Sequence, residues 1–276
     1  MGLGINGSRA LCWVKKNGEV DLTDTLMLGK QELMLSKKAC KRISRDYADI
    51  LKNKVYVEKF SNNFLKSLGA KNIESLDVSD YQGVDIVYDL NIPITENMRG
   101  KYSLIIDGGT TEHIFNYPQA IKNVMDMLRV GGVYFGMIPM NCWSGHGLYQ
   151  FSPSLFVQIF SQANGFMINH LMMDRKYSDG RLYEFPTQNV GNSRIEINDH
   201  IPTLIFVVAK KVSNTPNEII FQENFYQNLW EENKKEADGI KKWMVRAISG
   251  HPRMLGEAAA WILNQKRLMK CKKVII

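Results

Sequence analysis

The sequence lacks the features that mark several classes of protein. Its four cysteines form no C-x-x-C pair and no regular spacing, which argues against a zinc knuckle or a disulfide scaffold and fits a reducing cytoplasm. No apolar run approaches the roughly 20 residues that a membrane-spanning helix needs, and the first residues contain no continuous apolar stretch of the signal-peptide kind. We therefore expect a cytoplasmic protein.

Several catalytic signatures are absent as well. The chain has no G-x-S-x-G motif, and no cysteine stands in a recognisable motif with a histidine, so nucleophilic catalysis of the hydrolase or protease type is not indicated. It also has no G-x-G-x-x-G after a predicted strand, which a nicotinamide-dependent dehydrogenase would need.

The chain has no net positive charge outside its last part. The net charge is +7, yet nine Lys or Arg and only one acid lie within residues 239–276, so the rest is close to neutral. A basic field confined to one end argues against nucleic acid as the partner of the main domain. The basic helices predicted there either pack on the core or on a partner subunit of a homodimer, or contact the anionic inner face of a membrane.

Apolar runs that end in Gly, Asp or Asn alternate with segments of helical period, which predicts βαβ units and a mostly parallel sheet. Seven runs are expected to be strands: Thr25–Leu28, Ile73–Asp77, Asp85–Asp89, Leu104–Asp107, Val133–Ile138, Met167–Met173 and Thr203–Ala209. Seven strands suit one doubly wound α/β domain. We place this domain at residues 1–211, followed by a helical, basic extension at residues 212–276.

Two helices can be located from their end signals. Pro118 stands at a first helical position, and Gly131 and Gly132 are expected to end that helix. Ser152 and Pro153 open the second helix. Between the two helices, residues 140–151 leave the fifth strand at the edge where open α/β sheets bind ligands.

Five stretches occur in an order that resembles a known family: IESLDVSDY, DIVYDLN, YSLIIDGGTTEHIF, AIKNVMDMLRVGGVYFGMIP and GHGLYQFSP. Together they resemble the class I S-adenosylmethionine-dependent methyltransferases, and among these the bacterial proteins of surface-polysaccharide or other specialised biosynthesis. The likeness covers roughly residues 20–211. It implies a Rossmann-like, seven-stranded doubly wound sheet and S-adenosyl-L-methionine as cofactor.

The resemblance assigns cofactor-binding roles to the strand ends. Asp77, at the end of the second strand, would accept hydrogen bonds from the ribose hydroxyls, and Asp89, at the end of the third, would lie beside the adenine. Asp107, Gly108 and Gly109, at the end of the fourth, would lie near the methionine. A helix cap at Asp77 and a turn at Asp89 remain alternatives.

The chain departs from the family in its first loop, since it has no [DE]-x-G-x-G-x-G. The segment TLMLGKQ stands in its place and leads into a predicted helix. It has a single glycine, Gly29, so Lys30 or Gln31 could supply side-chain donors to the cofactor carboxylate. Lys30 as a solvated residue at a helix start is the alternative.

Histidine is the side chain best suited to act as a general base near neutral pH. The resemblance places two histidines where ligand should lie, His113 after the fourth strand and His146 after the fifth. His146 and Tyr149 are expected to contact substrate or remove its proton, and His113 to contact cofactor or substrate or to join the turn to its loop. We expect His170 to be structural. We expect no metal site, because Asp107, Glu112 and His113 show no ligand repeat.

The sequence therefore predicts an S-adenosylmethionine-dependent methyltransferase of a small molecule. O-methylation of a sugar or related biosynthetic precursor is the reaction that the resemblance implies. The alternative is a non-catalytic methyltransferase-like protein that serves as a binding or assembly subunit, which the degenerate glycine loop would favour.

Overall fold

The structure, a computed structural model, describes residues 2–176, 181–185, 200–219 and 221, and the backbone of residues 272–275. Its helices are α1 (Ile5–Lys16), α2 (Lys37–Asp46), α3 (Asn62–Ser67), α4 (Tyr117–Met127) and α5 (Pro153–Ile159). Its strands are β1 (Gly2–Leu3), β2 (Asp24–Leu28), β3 (Glu32–Leu33), β4 (Asn72–Asp77), β5 (Ile86–Val87), β6 (Tyr102–Asp107), β7 (Leu128–Asn141), β8 (Phe166–Arg175), β9 (Arg181–Glu184), β10 (Thr203–Lys211) and β11 (Lys272–Ile275).

A nine-stranded sheet organises the described residues, in the order β11-β9-β8-β10-β7-β6-β2-β4-β5. The five strands from β7 to β5 are parallel, and β10, β8, β9 and β11 each pair antiparallel with their neighbours. All seven predicted strands form, as β2, β4, β5, β6, β7, β8 and β10. The prediction of a Rossmann-like doubly wound sheet is confirmed, although the sheet of the described residues has nine strands rather than the predicted seven.

Strand β2 lies at the centre of the parallel part, between β4 and β6. It was predicted as the first strand although no triple glycine follows it. The chain order reverses direction between β2 and β6, so this edge is the topological switch point at which open α/β sheets bind ligands. The carboxyl ends of β2, β4 and β6 meet there.

The segment after β2 differs from its prediction. Lys30 and Gln31 were expected to open a helix, but α2 begins at Lys37, with the Ser36 hydroxyl accepting a hydrogen bond from the Ala39 amide at 3.2 Å. The prediction was wrong because residues Glu32–Leu33 pair with β1 in a small parallel sheet.

The two glycines at 131 and 132 do not end a helix as predicted. Helix α4 ends at Met127, and β7 begins at the next residue and runs through both glycines. The register between β6 and β7 shifts there. Gly131 has a φ of +87°, and a Cβ on Gly132 would lie 2.8 Å from the Tyr102 carbonyl oxygen. The pair therefore forms an irregularity in the strand that a larger residue would obstruct.

Apolar side chains cover both faces of the sheet. One core joins the sheet to α4 and α5 through residues such as Val124 and Phe156, and the other joins it to α1, α2 and α3 through residues such as Leu11, Ile43 and Leu65. Burial on both faces explains why the central strands are unbroken apolar runs in the sequence.

Part of the chain after residue 211 is described only as backbone. Residues Lys272–Ile275 form β11, which pairs antiparallel with β9. Most of the extension that was expected to be helical, residues 222–271, lies outside the described residues. Among the residues that the structure describes, no helix is both long and apolar enough to cross a membrane.

His170 lies in β8 between two carboxylates. Its Nδ1 is 2.8 Å from Glu184 Oε1, its Nε2 is 2.9 Å from Glu19 Oε2, and its side chain is 16% exposed. Burial alone would lower the pKa of His170, but the hydrogen bonds and charges of Glu184 and Glu19 outweigh it and raise the pKa. These contacts join β8 to β9 and to the segment after α1, which is a structural role.

This arrangement predicts a pH-dependent contribution to stability. Because the pKa of His170 is raised on folding, the folded state binds its proton more tightly, and the contribution is complete below the unfolded value of about 6.5. It is lost as the pH rises through the folded pKa. We expect His170→Gln to lower the free energy of unfolding by about 1–3 kcal/mol at pH 6 and by less at pH 9. Urea unfolding at both pH values measures this, and an equal loss at both would contradict it.

Candidate functional site

A cavity of about 200 Å³ lies at the carboxyl edge of the parallel strands. Its walls come from the ends of β4 and β5 and from the turn after β6. The polar groups that line it include those of Asp77, Tyr88, Asp89, Thr110 and His113, and Leu76, Leu90 and Ile114 supply apolar wall. This is the position predicted for a ligand from the strand order.

Two of the predicted cofactor residues, Asp77 and Asp89, line this cavity together. Asp77 Oδ1 lies 3.4 Å from the Ser79 amide nitrogen. Asp89 Oδ1 accepts hydrogen bonds from the Asn91 amide and from Asn91 Nδ2, at 2.9 and 2.7 Å. These bonds, the backbone one first, lower the pKa of Asp89. Asp89 therefore both holds a turn and presents a carboxylate to the cavity.

The carboxylate of Asp107 is fully buried and binds protein groups. Its donors are the Thr110 amide at 2.9 Å, the Thr111 hydroxyl at 2.6 Å and the Tyr134 hydroxyl at 2.9 Å. It does not line the cavity. In the structure, the Asp107 carboxylate attaches the turn after β6 to β7.

The three residues that replace the glycine loop lie next to one another at the end of β2. Gly29 has a φ of +69°, and its amide donates to the Leu76 carbonyl at 2.7 Å. Lys30 Nζ donates to the Gly83 carbonyl at 2.8 Å and lies 4.9 Å from the centre of the Phe60 ring. The side-chain donors of Lys30 and Gln31, which were expected to bind a cofactor carboxylate, thus donate to protein carbonyls instead.

Gln31 is fully buried, and its Nε2 donates to the Leu28 carbonyl. Its Oε1 occupies the position that a Cβ on Gly108 would take. The Gly2 amide also donates to the Gly108 carbonyl at 3.1 Å. Gln31 therefore occupies the space that the missing side chain of Gly108 leaves, and β1 lies beside Gly108. Gly109 follows with a φ of +95°.

A second cluster, made of Glu112, His113 and His146, lies beside the cavity. Glu112 and His113 belong to the short 3-10 helix after β6, and His146 to the loop after β7. Glu112 Oε1 is 3.5 Å from His146 Nε2 and 3.9 Å from His113 Nε2, and the two imidazole centres are 5.3 Å apart. His113 and His146 are 44% and 50% exposed, whereas the Glu112 side chain is 1% exposed.

The electrostatics of this cluster follow from its burial. Burial and the nearby negative charge of Asp107 raise the pKa of Glu112 to about 8. Burial and the facing His146 imidazole lower the pKa of His113. Neither carboxylate oxygen of Glu112 has a hydrogen-bond partner among the described residues. Its backbone carbonyl, in contrast, accepts from the amides of Leu148 and Tyr149 at 2.8 and 3.2 Å.

The loop that carries His146 is held by polar contacts at both ends. Trp143 Nε1 donates to the Thr203 carbonyl at 3.0 Å, and the Trp143 amide donates to Gln150 Oε1 at 2.8 Å. The hydroxyl of Tyr149, a predicted catalytic group, donates to the Phe115 carbonyl at 2.6 Å. The structure thus brings His113 and His146 together and directs the Tyr149 hydroxyl to the backbone.

Glu112 was not predicted as a site residue, since it was considered only in a set without a ligand repeat. Gly147, from the loop after β7, packs closely against it. A Cβ on Gly147 would lie 2.8 Å from Glu112 Cγ. The space that Gly147 leaves beside His146 is thus occupied by Glu112. The adjacent Glu-His pair in TTEHI was the signal that could have identified it.

No protein-family model matches the chain, and no curated protein matches it in sequence. Solved structures are similar to it at low identity. A branched-chain polyamine synthase from Thermus thermophilus, in complex with N4-aminopropylspermidine and 5'-methylthioadenosine, is 13% identical with a TM-score of 0.41. That match covers 77% of this chain and 57% of the synthase, so the chain spans little more than half of its length.

Two methyltransferases are similar at the same level. The 1,6-didemethyltoxoflavin-N1-methyltransferase of Burkholderia thailandensis, with bound S-adenosylhomocysteine, is 13% identical over 75% of this chain and 78% of its own, with a TM-score of 0.39. An rRNA methylase from Streptococcus thermophilus is 13% identical over 75% and 97%, with a TM-score of 0.38. The fold assignment rests on the strand order of the sheet.

The contact between Gly147 and Glu112 can be tested with a matched pair of substitutions. Gly145 and Gly147 have φ values of +82° and +77°, but a Cβ on Gly145 would meet nothing within 4 Å. Gly145→Ala should therefore cost only the strain of a left-handed alanine, about 1–2 kcal/mol. Gly147→Ala should cost about 1 kcal/mol or more beyond that, because Glu112 must shift. Urea unfolding of both variants measures the difference, and equal losses would show that the loop does not pack on Glu112.

Proposed function

We propose that the chain is an S-adenosylmethionine-dependent methyltransferase that acts on a small molecule. The observation that carries this proposal is the pairing of Asp77 and Asp89 in one cavity at the switch point of a doubly wound sheet. Carboxylates at successive strand ends suit the ribose hydroxyls and the adenine amino group of a nucleoside cofactor. The apolar wall from Leu76, Leu90 and Ile114 suits the faces of an adenine ring.

The residues present fit the nucleoside half of the cofactor. Asp77 would hold the ribose and Asp89 the adenine, with Thr110 and His113 completing the wall. The cofactor, when bound, supplies an electrophilic methyl group. The task left to the protein is to align a nucleophile with that group and to remove its proton.

His113 and His146 are the groups suited to the acceptor side. Both are half exposed, and His113 lines the cavity, so an acceptor beside the nucleoside site would contact them. His146 is the proposed general base that takes the proton of an acceptor hydroxyl, since a neutral imidazole nitrogen can accept it. Tyr149 is proposed to border the acceptor through its ring, because its hydroxyl already donates to the Phe115 carbonyl.

The proposed acceptor is an oxygen on a sugar or a related biosynthetic precursor. The family resemblance of the sequence supports this choice, and the half-exposed histidines are compatible with a polar acceptor. We further propose a cytoplasmic protein whose residues 212–276 contribute a homodimer interface or a peripheral contact with the inner face of a membrane. The concentration of basic residues in 239–276 supports the membrane alternative.

A second candidate function is a non-catalytic binding or assembly subunit. The observation that favours it is the space beside Gly108, where the cofactor's methionine was expected. Gln31 fills that space, and Gly2 binds the Gly108 carbonyl. Methyl transfer requires that Gln31 move aside or that the methionine take another course, whereas a non-catalytic subunit requires neither.

Titration with S-adenosylhomocysteine by calorimetry tests the proposed site. A carboxylate that accepts from ligand hydroxyls contributes about 1.5–3 kcal/mol, so Asp77→Asn should weaken binding by roughly 10-fold to 100-fold. Asp80→Asn is the matched control, because Asp80 is exposed on the same loop and does not line the cavity. The affinity of Asp80→Asn for S-adenosylhomocysteine should equal that of the unmodified protein.

His146→Ala extends the test to the acceptor side. Because His146 does not line the cavity, this variant should keep the affinity of the unmodified protein for S-adenosylhomocysteine. If the unmodified protein does not bind S-adenosylhomocysteine at millimolar concentration, the methyltransferase proposal is overturned and the non-catalytic subunit is favoured. Equal binding by the Asp77 and Asp80 variants would show that the nucleoside is held elsewhere.

A further inference from the structure

We propose that Glu112, His113 and His146 bind a divalent transition-metal ion of the Zn²⁺ class. One ligand atom from each residue lies within 4.8 Å of the other two. In a tetrahedral zinc site with bonds of about 2.0–2.2 Å, ligand atoms lie roughly 3–3.5 Å apart. Glu112 Oε1 already lies 3.5 Å from His146 Nε2. Small rotations of two half-exposed imidazoles would bring all three ligands to that spacing.

The state of Glu112 points to a cation independently of the spacing. Its side chain is 1% exposed, and neither of its carboxylate oxygens has a hydrogen-bond partner among the described residues. A buried carboxyl group without a hydrogen-bond partner carries a desolvation cost that a bound cation would offset. Asp107 is the nearby contrast, because its carboxylate is also buried but accepts three short hydrogen bonds from protein groups. Glu112 is thus the buried acid at this strand end whose carboxylate lacks hydrogen-bond partners among the described residues, and a bound cation would supply it with a partner.

The backbone holds the three ligands in place. The amides of Leu148 and Tyr149 donate to the Glu112 carbonyl, and Gly147 packs against Glu112 Cγ. The His146 amide donates to the Trp143 carbonyl at 3.0 Å. The loop that carries the third ligand is therefore attached to the residue that provides the first. Such preorganisation is expected of a binding site and is not needed by a solvent-exposed histidine.

The donor set selects the kind of metal. Two imidazoles and one carboxylate suit Zn²⁺, Fe²⁺, Co²⁺ or Ni²⁺, whereas Mg²⁺ and Ca²⁺ prefer oxygen ligands alone. Three protein ligands leave a coordination position for water or substrate, as in catalytic rather than structural zinc sites. Since His113 also lines the cavity, that position lies at the cavity's margin, where an oxygen of a small molecule could bind. Metal binding engages His146 Nε2, so the role of general base proposed above applies to the metal-free protein. Binding of the metal does not depend on the proposed methyl transfer.

The test is metal binding by the full-length protein after chelator treatment, without any nucleoside. Zn²⁺ is titrated by calorimetry, and Co²⁺ is added to follow the visible absorption that distinguishes nitrogen-ligated, low-coordinate sites. We expect one ion per chain. Glu112→Gln and His146→Ala should each weaken binding by at least about tenfold, since each removes one of three ligands. His200→Ala is the control, because His200 is exposed and lies outside the cluster.

Thermal unfolding with and without Zn²⁺ provides a second readout. Zn²⁺ should raise the unfolding temperature of the unmodified protein and of His200→Ala, but not of His146→Ala. His146 is half exposed, so its variant remains informative if Glu112→Gln fails to fold. No binding, or binding that Glu112→Gln and His146→Ala leave unchanged, would overturn the proposal. A failed S-adenosylhomocysteine titration would leave this result standing.

Discussion

The candidate site depends on the hydrogen bonds that the buried carboxylate of Asp107 accepts. Asp107 accepts hydrogen bonds from two residues of the turn that follows β6 and from the Tyr134 hydroxyl on β7. The same turn continues into Thr110, Glu112 and His113. Because one acid holds strand, turn and neighbouring strand together, the cavity and the histidine cluster keep a defined position relative to each other.

Two acids five residues apart, Asp107 and Glu112, therefore have different roles. Asp107 is satisfied by the protein and shapes the site, whereas Glu112 is enclosed without donors and faces two imidazoles. The glycines of the same region serve packing between protein segments. Gly108 admits Gln31, and Gly147 admits Glu112. In both cases the space that a glycine leaves is used by a side chain from elsewhere in the chain.

The sheet could be predicted from the sequence because its signals are local. Strands buried on both faces leave apolar runs, as in Leu104–Asp107, and the polar residue that ends each run marks the ligand edge. The prediction for Gly131 and Gly132 was wrong because a glycine pair after an apolar helix commonly ends the helix. Here the pair lies within β7, and its place there depends on pairing with β6, which is distant in sequence. The part of the cluster around Glu112 that could not be predicted is the approach of His146, since its loop follows a path set by packing and long-range hydrogen bonds.

The central claim is that the cavity between the ends of β4 and β5 and the turn after β6 is a nucleoside-cofactor site. A crystal structure grown with S-adenosylhomocysteine tests it most directly. The account predicts the ribose on the carboxylate of Asp77 and the adenine beside Asp89, with the sulfur end directed towards the turn that begins at Gly108 and with Gln31 displaced from it. Ligand bound at another position, or no bound ligand at millimolar concentration, would contradict the claim.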